Sequence, residues 1–243
     1  MQEAQHNGYP KHDLAAMKHI YIILGILFIA LLVTWTQLPE ISTDQRKITR
    51  LPWIIQTDEQ GGSRVFGLAI GKATVKQAQE TFNDEAEFAV FIDQDEQLSL
   101  EAFFNYTNIA GLQARMTLTL IADKQEIADL AEQSIEKKAQ PSNSYKLKLP
   151  TDLHPTLFEY AFNSITYQPK IKIEKDILMA RFGKPENIER TGEHTYQWRY
   201  PKKGLLITVS DEEKPVFIYV RPDQFSNYFP SNEEQQSNPV SAG

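Results

Sequence analysis

EFAVFIDQDEQLSLEAFFNYTNIAGLQARMTLTLI, residues 87–121, holds three runs in which apolar side chains fall on every second position. Phe88, Val90 and Ile92 share one face of the first run. Leu98, Leu100, Ala102 and Phe104 share a face of the second, and Leu112, Ala114, Met116, Leu118 and Leu120 a face of the third. Successive side chains in a strand point to opposite faces, so the spacing predicts strands over 87–93, 97–104 and 111–121, each with one buried face. A helix is predicted just upstream over 74–82, where Thr74 and Gln77 form a capping box and Val75, Ala78 and Phe82 fall at helical spacing.

Working outward, residues 52–55 begin a strand, Gly61-Gly62 marks a turn, and 64–70 returns. Downstream, Ile127, Leu130, Ala131 and Ile135 form the apolar stripe of a helix predicted over 123–138. A strand over 145–149, a helix over 152–162 with Pro155 in its first turn, and a strand over 164–168 follow. The scheme then repeats. A helix over 173–182 carries Ile173, Ile177, Ala180 and Arg181 in step with Phe182 closing it, and Gly183 and Pro185 stop it. A strand over 194–200 places Tyr196, Trp198 and Tyr200 on one face. Strands over 205–210 and 215–221 complete a meander, with turns at 201–204 and 211–214.

Residues 20–38 read IYIILGILFIALLVTWTQL, with Ile20 and Leu38 at the ends and no charge between them. At about 1.5 Å per residue this length matches a hydrocarbon core of roughly 30 Å. Tyr21 and Trp35 stand near the two ends, where amphipathic rings favour the interface. No small-x-small cleavage signal follows, so the reading is an uncleaved single-pass anchor rather than a signal peptide. The short N-terminal segment is expected on the cytoplasmic side and the remainder outside.

The expected fold is therefore α+β: an N-terminal transmembrane helix followed by two helix-plus-three-strand antiparallel meander modules joined by helices. The expected divisions are 1–19, an N-terminal segment; 20–38, the anchor; 39–51, a polar linker; 52–149 and 150–229, the two modules; and 230–243, a disordered tail rich in Ser, Asn, Gln and Pro.

Charge and composition narrow the function. The net charge is −7, and Lys11 and Lys18 cancel Glu3 and Asp13 before the anchor, so the excess belongs to the region after it. Such a region repels phosphate backbones, which disfavours nucleic acid as a partner. The chain has no cysteine, which removes disulfides, thiolate catalysis, iron–sulfur clusters and a lipoprotein anchor.

Residues 173–221 resemble the small α+β module of BamE/SmpA-like envelope proteins. The features shared are a short helix, then Phe182-Gly183-Lys184-Pro185, an aromatic strand ending Trp198-Arg199-Tyr200, and Gly204-Leu205 opening the next strand. That family carries a lipidated cysteine, absent here. The whole chain also looks similar to uncharacterised single-pass proteins of proteobacteria. The resemblance implies an envelope setting at the bacterial inner membrane, a periplasmic folded region and a binding or scaffolding role.

Motifs that carry chemistry are faint. Gly67 to Thr74 resembles a phosphate loop, but Phe66 stands where the first glycine belongs and Ala73 where a hydroxyl belongs. Asp93 to Gln97 resembles the start of a calcium loop, but Leu98 and Phe104 occupy its glycine and glutamate positions. His154 and His194 have no metal spacing. Glu101 would be a general base only if buried. No catalytic residue, metal site or cofactor is expected. Tyr196, Trp198 and Tyr200 read first as a core face covered by the preceding helix; with Phe217 and Tyr219 they are also singled out as a candidate interaction surface. The expected function is protein–protein interaction or scaffolding in the envelope, with a protein partner and the membrane as neighbours. The alternative is an enzyme or small-ligand sensor with its site between the two modules.

Overall fold

A computed structural model describes residues 50–141 and 143–230, and the predicted anchor and nearly all of the predicted tail lie outside them. Among the described residues no helix is long and apolar enough to cross a membrane. They all belong to one compact unit.

Three short strands, β1 (Ile55–Thr57), β2 (Ser63–Val65) and β3 (Leu68–Ala69), form a small antiparallel sheet. Helix α1 (Val75–Phe82) follows, with the capping box read from Thr74 and Gln77. The three alternating runs become β4 (Glu87–Ile92), β5 (Leu98–Ile109) and β6 (Leu112–Leu120). Between β5 and β6, Ala110 and Gly111 both take positive φ, at 51° and 88°. That is the two-residue turn whose twist suits a hairpin. Helix α2 (Lys124–Glu132), the hairpin of β7 (Glu136–Ala139) and β8 (Tyr145–Lys148), and the single turn α3 (His154–Leu157) come next. The chain closes with β9 (Phe162–Pro169), α4 (Lys175–Phe182), β10 (Asn187–Arg190), β11 (Thr195–Tyr200), β12 (Leu205–Ser210), β13 (Val216–Val220) and α5 (Phe225–Tyr228).

The two expected modules do not exist as separate units. Strands β4 to β13 form one ten-stranded sheet in the order β10-β11-β12-β13-β9-β6-β5-β4-β8-β7, and its pairings are antiparallel. The strand that overturns the modular reading is β9. It pairs with β6 on one side and β13 on the other, fusing two meanders into a single sheet. Each meander alone would leave a row of unpaired N–H and C=O groups at that edge, and β9 satisfies both rows. The fold is thus mostly β, with five short α-helices among the described residues rather than helices joining two modules. The helix expected over 152–162 shrinks to α3, because its C-terminal end is drawn into β9.

Register sets the core. Phe104, Met116, Tyr167, Phe217, Ile207 and Trp198 lie in one line across six strands. Phe88, Ala102, Leu118, Ile165, Tyr219, Leu205 and Tyr200 form the next line. All are buried, and the small sheet, α1 and α4 pack on them through Phe66, Phe82 and Leu178. Phe66 touches Phe82, Tyr167 and Tyr219, with ring centres 5.5–6.1 Å apart. The other face of the sheet carries Glu101, Thr119 and Ser164 in one line. At its β12–β13 end, Phe225 of α5 covers Leu206 and Val220.

Candidate functional site

The five aromatic residues all lie on the inner face, which fits their reading as a core face and not the alternative of an interaction surface. Trp198, Tyr200, Phe217 and Tyr219 are buried core residues, at most 5% exposed. Tyr196 alone is half-buried, with the Lys175 ammonium 4.9 Å from its ring centre. The candidate phosphate loop is the β3-to-α1 connection, where the Thr74 hydroxyl accepts from Gln77 N–H at 3.4 Å. In the candidate calcium loop, Asp93 Oδ1 accepts from the N–H groups of Asp95 and Gln97 at 2.9 and 2.8 Å, closing the β4–β5 turn. Among the described residues no cluster of three or more His, Asp or Glu could hold a metal.

The two histidines do not meet. His154 packs edge-on against Phe88 of β4, ring centres 4.9 Å apart, and burial lowers its pKa. His194 leads into β11 and faces Asp211 and Glu193, each at 3.9 Å. Strands β4 and β11 are six places apart in the sheet, a width of about 29 Å at 4.8 Å per strand. No acid–base pair forms from them.

Glu101 stands on the outer face of β5, half-buried, between Ala89 and Thr119 on the neighbouring strands. Burial raises its pKa to about 7, while the Ser99 hydroxyl, 3.2 Å from Oε1, and the Lys146 charge oppose that rise. Lys146 is itself lowered, mainly by burial, and its ammonium lies 4.2 Å from the Phe103 ring centre. This is a desolvated carboxyl on a sheet face rather than in a cleft.

The concave feature the sequence did not announce is an apolar cleft of about 190 Å³ between α4 and the inner face of the sheet. Its floor is Tyr167, Phe182 and Phe217, all buried, and Leu178 of α4 forms a buried wall. Its rim is Ile171 and Ile177, 47% and 52% exposed, with half-buried Trp53. Trp53 is held there because its neighbour Pro52 is fixed: the Tyr219 hydroxyl donates to the Pro52 carbonyl at 3.0 Å in the core. The Arg181 guanidinium lies over the Trp53 ring at 4.7 Å, and Lys172 is the second cation of the lining. Among the described residues no acidic side chain lines the cleft, and the Lys172 ammonium donates to the Asp211 carbonyl at 2.8 Å.

One lining group is chemically unfinished. Tyr167 is wholly buried, its hydroxyl closed off from solvent and without a hydrogen-bond partner among the described residues. Burial raises its pKa to about 12, so the phenol stays protonated and able to donate. Tyr219, its neighbour, is pushed well above 10, by burial first and by Tyr167 second. Sequence reading missed this site because its lining comes from separated segments, from Pro52 to Phe217. One local signal was available: Ile177, Leu178 and Met179 follow one another on α4, more apolar surface than one helix face buries.

No family model, curated protein or solved structure matches this chain.

Proposed function

We propose that this chain is a membrane-anchored protein of the bacterial envelope that acts by binding rather than by catalysis, and that the cleft beneath α4 is its recognition site. The observation that carries this reading is the cleft itself. Apolar side chains form its floor and wall, while Ile171 and Ile177 stay exposed at its rim. Exposed apolar side chains around a concave site favour a bound partner over water. The uncharged stretch at 20–38 supports the anchor, and the resemblance of 173–221 to BamE/SmpA-like modules supports the envelope setting and a periplasmic folded region. Scaffolding follows if the occupant of the cleft belongs to a larger assembly. Against an enzymatic role, His154, His194 and Glu101 lie on separate parts of the sheet, and none of them lines the cleft.

The test is a photo-crosslinking amino acid placed at Ile177 in intact cells. A discrete adduct is expected there. It should be absent when the crosslinker sits at Tyr145, on strand β8 at the far side of the sheet, and lost when Ile171→Asp is added. Equal labelling from both positions refutes the cleft as the recognition site. A phosphatase reporter at the C-terminal end tests the setting: activity is expected, and a reporter that works only in the cytoplasm overturns the periplasmic placement.

A further inference from the structure

Resting on the reading of the chain as membrane-anchored and of the cleft rim as its recognition site, we infer that the partner met there is a phospholipid surface. The end of the sheet that carries the rim docks on the bilayer, with Trp53, Tyr106, Ile171 and Ile177 entering the interface. Three features define that partner.

The first is where the folded region joins the rest of the chain. The described residues begin at Arg50, whose guanidinium donates to the Thr81 carbonyl at 3.2 Å, near the C-terminal end of α1. Just beyond that helix, the Asp84 carboxylate accepts from the Tyr106 N–H at 2.7 Å. The Lys170 N–H donates to the Gln113 carbonyl at 2.8 Å, which brings the residues after β9 to the β5–β6 turn. Arg50, Tyr106, that turn and Ile171 therefore share one end of the strands. The opposite end is marked by Leu98 and Tyr145, both opposite Ile92. Strand β5 is 12 residues long, about 40 Å from end to end. Residues 39–49 separate Arg50 from the end of the predicted anchor at Leu38, and they span at most about 40 Å. A tether of that reach keeps the Arg50 end beside the bilayer, while presenting the Tyr145 end would stretch it to its limit.

The second is the chemistry exposed at the Arg50 end. Tyr106 is 78% exposed, and Ile171 and Ile177 about half. Two rings there each carry a cation on one face. The Lys170 ammonium lies 5.2 Å from the Tyr106 ring centre, and the Arg181 guanidinium 4.7 Å from that of Trp53. Lys170 and Ile171 are consecutive, so the two pairs flank one apolar edge. A ring backed by a long cationic side chain suits the headgroup region, where the ring meets the apolar boundary and the charge stays among phosphates and water.

The third is the balance of charge. Asp84 is engaged by Tyr106 and Thr107, and Asp211 by Lys175 at 2.6 Å. Glu212 and Glu213 share a hollow with Arg115, Lys170 and Lys214. Acids and bases are close to matched, so insertion of apolar and aromatic groups carries the docking rather than attraction to anionic heads. Docking therefore holds on zwitterionic lipid and survives high salt.

Because the chain has no cysteine, a single introduced thiol takes a nitroxide label at one chosen place. Ile171→Cys and Ile177→Cys are labelled in the full chain in nanodiscs of zwitterionic lipid, with Tyr145→Cys as the control at the opposite end. All three side chains are exposed, so the core is untouched, and a melting temperature equal to the parent's checks this. Oxygen concentrates in lipid and a nickel chelate in water. Oxygen should relax the labels at 171 and 177 more strongly than nickel, at low and high salt alike, and the order should reverse at 145. Adding Tyr106→Asp should return the label at 177 to the order of the control. Nickel-favoured relaxation at 171 and 177, low access of both reagents there, an oxygen-favoured label at 145, or an unchanged order with Tyr106→Asp overturns the docking. The crosslinker at Ile177 in cells separates this inference from the reading it rests on. Its adduct should carry the mass of a phospholipid. A protein-sized adduct overturns the lipid assignment and leaves the recognition site standing. Loss of the adduct together with water-exposed labels takes both.

Discussion

Replacing Glu101 by Gln changes how stability depends on pH, and the sign follows from its surroundings. Folding moves this carboxyl from 4.5 to about 7, chiefly by burial. Between those values the folded protein holds a proton that the unfolded chain has released. Stability gained from that proton is fully present below about pH 4.5 and is lost as pH rises through about 7. At 1.36 kcal/mol per pKa unit the full difference of roughly 2.5 units gives a ceiling of about 3.4 kcal/mol. Glu101 keeps partial access to water, and Lys146 and Ser99 favour its charged form, so about 1–3 kcal/mol is the expected size. Glutamine has the same shape and no proton to lose. The assay is urea unfolding of the chain from Thr43 onward, for both forms, at pH 5 and pH 8. Other titrating groups, His154 among them, are common to both and cancel in the difference. Glu101→Gln should gain about 1–2 kcal/mol on the parent between the two pH values, since the window from pH 5 to pH 8 spans only part of the titration. A difference that stays within about 0.3 kcal/mol across that range refutes the claim that folding desolvates Glu101.

Gly204 links β11 to β12 at φ 61°, and a Cβ added there would lie 2.1 Å from the Val220 carbonyl oxygen and 3.0 Å from Pro222 N. Because the obstacles are backbone atoms, Gly204→Ala should cost at least about 3 kcal/mol, a fall of roughly 6–12 °C in melting temperature; a fall under about 2 °C contradicts the close approach. Trp198 is 5% exposed between Ile188 and Ile207, so Trp198→Ala should cost about 3–5 kcal/mol by chemical denaturation, whereas a ligand platform at this strand would show nearly unchanged stability.

Elements whose order is written locally were legible. Strands β4, β5 and β6 alternate cleanly because one face of the sheet packs on the core while the other meets water in part, and Thr74 with Gln77 caps α1 by purely local bonds. Elements that owe their existence to a neighbour were not. Strand β7, Glu136–Ala139, is exposed at every position, so it carries no periodicity; pairing with β8 makes it a strand. The helix predicted over 123–138 ends at Glu132 for the same reason, leaving Ile135 63% exposed beside that hairpin. Strand β9 was readable as a strand but not as the bridge between β6 and β13, since alternation fixes which face is buried and says nothing about partners.

Helix α4 holds the most instructive failure. Helical spacing put Ile173, Ile177, Ala180 and Arg181 in step with Phe182 closing the helix; Phe182 does cover the aromatic strand, yet Leu178 is the residue buried with it and Ile177 is turned out. Either face of this segment could have been buried on composition alone, since Ile177, Leu178 and Met179 are consecutive. The sheet chose: Phe182 stacks on Phe217 with ring centres 5.4 Å apart, which turns Ile177 outward to 52% exposure. Burying the exposed half of Ile177 would be worth about 0.8–1.5 kcal/mol, and the fold forgoes it. The same helix sets the Arg181 guanidinium over the Trp53 ring and leaves Ile177 at the rim of the cleft. Local rules are most informative where tertiary structure breaks them without compensation. Here the exposed Ile177 and the Arg181–Trp53 pair both fall on the lining of one cleft.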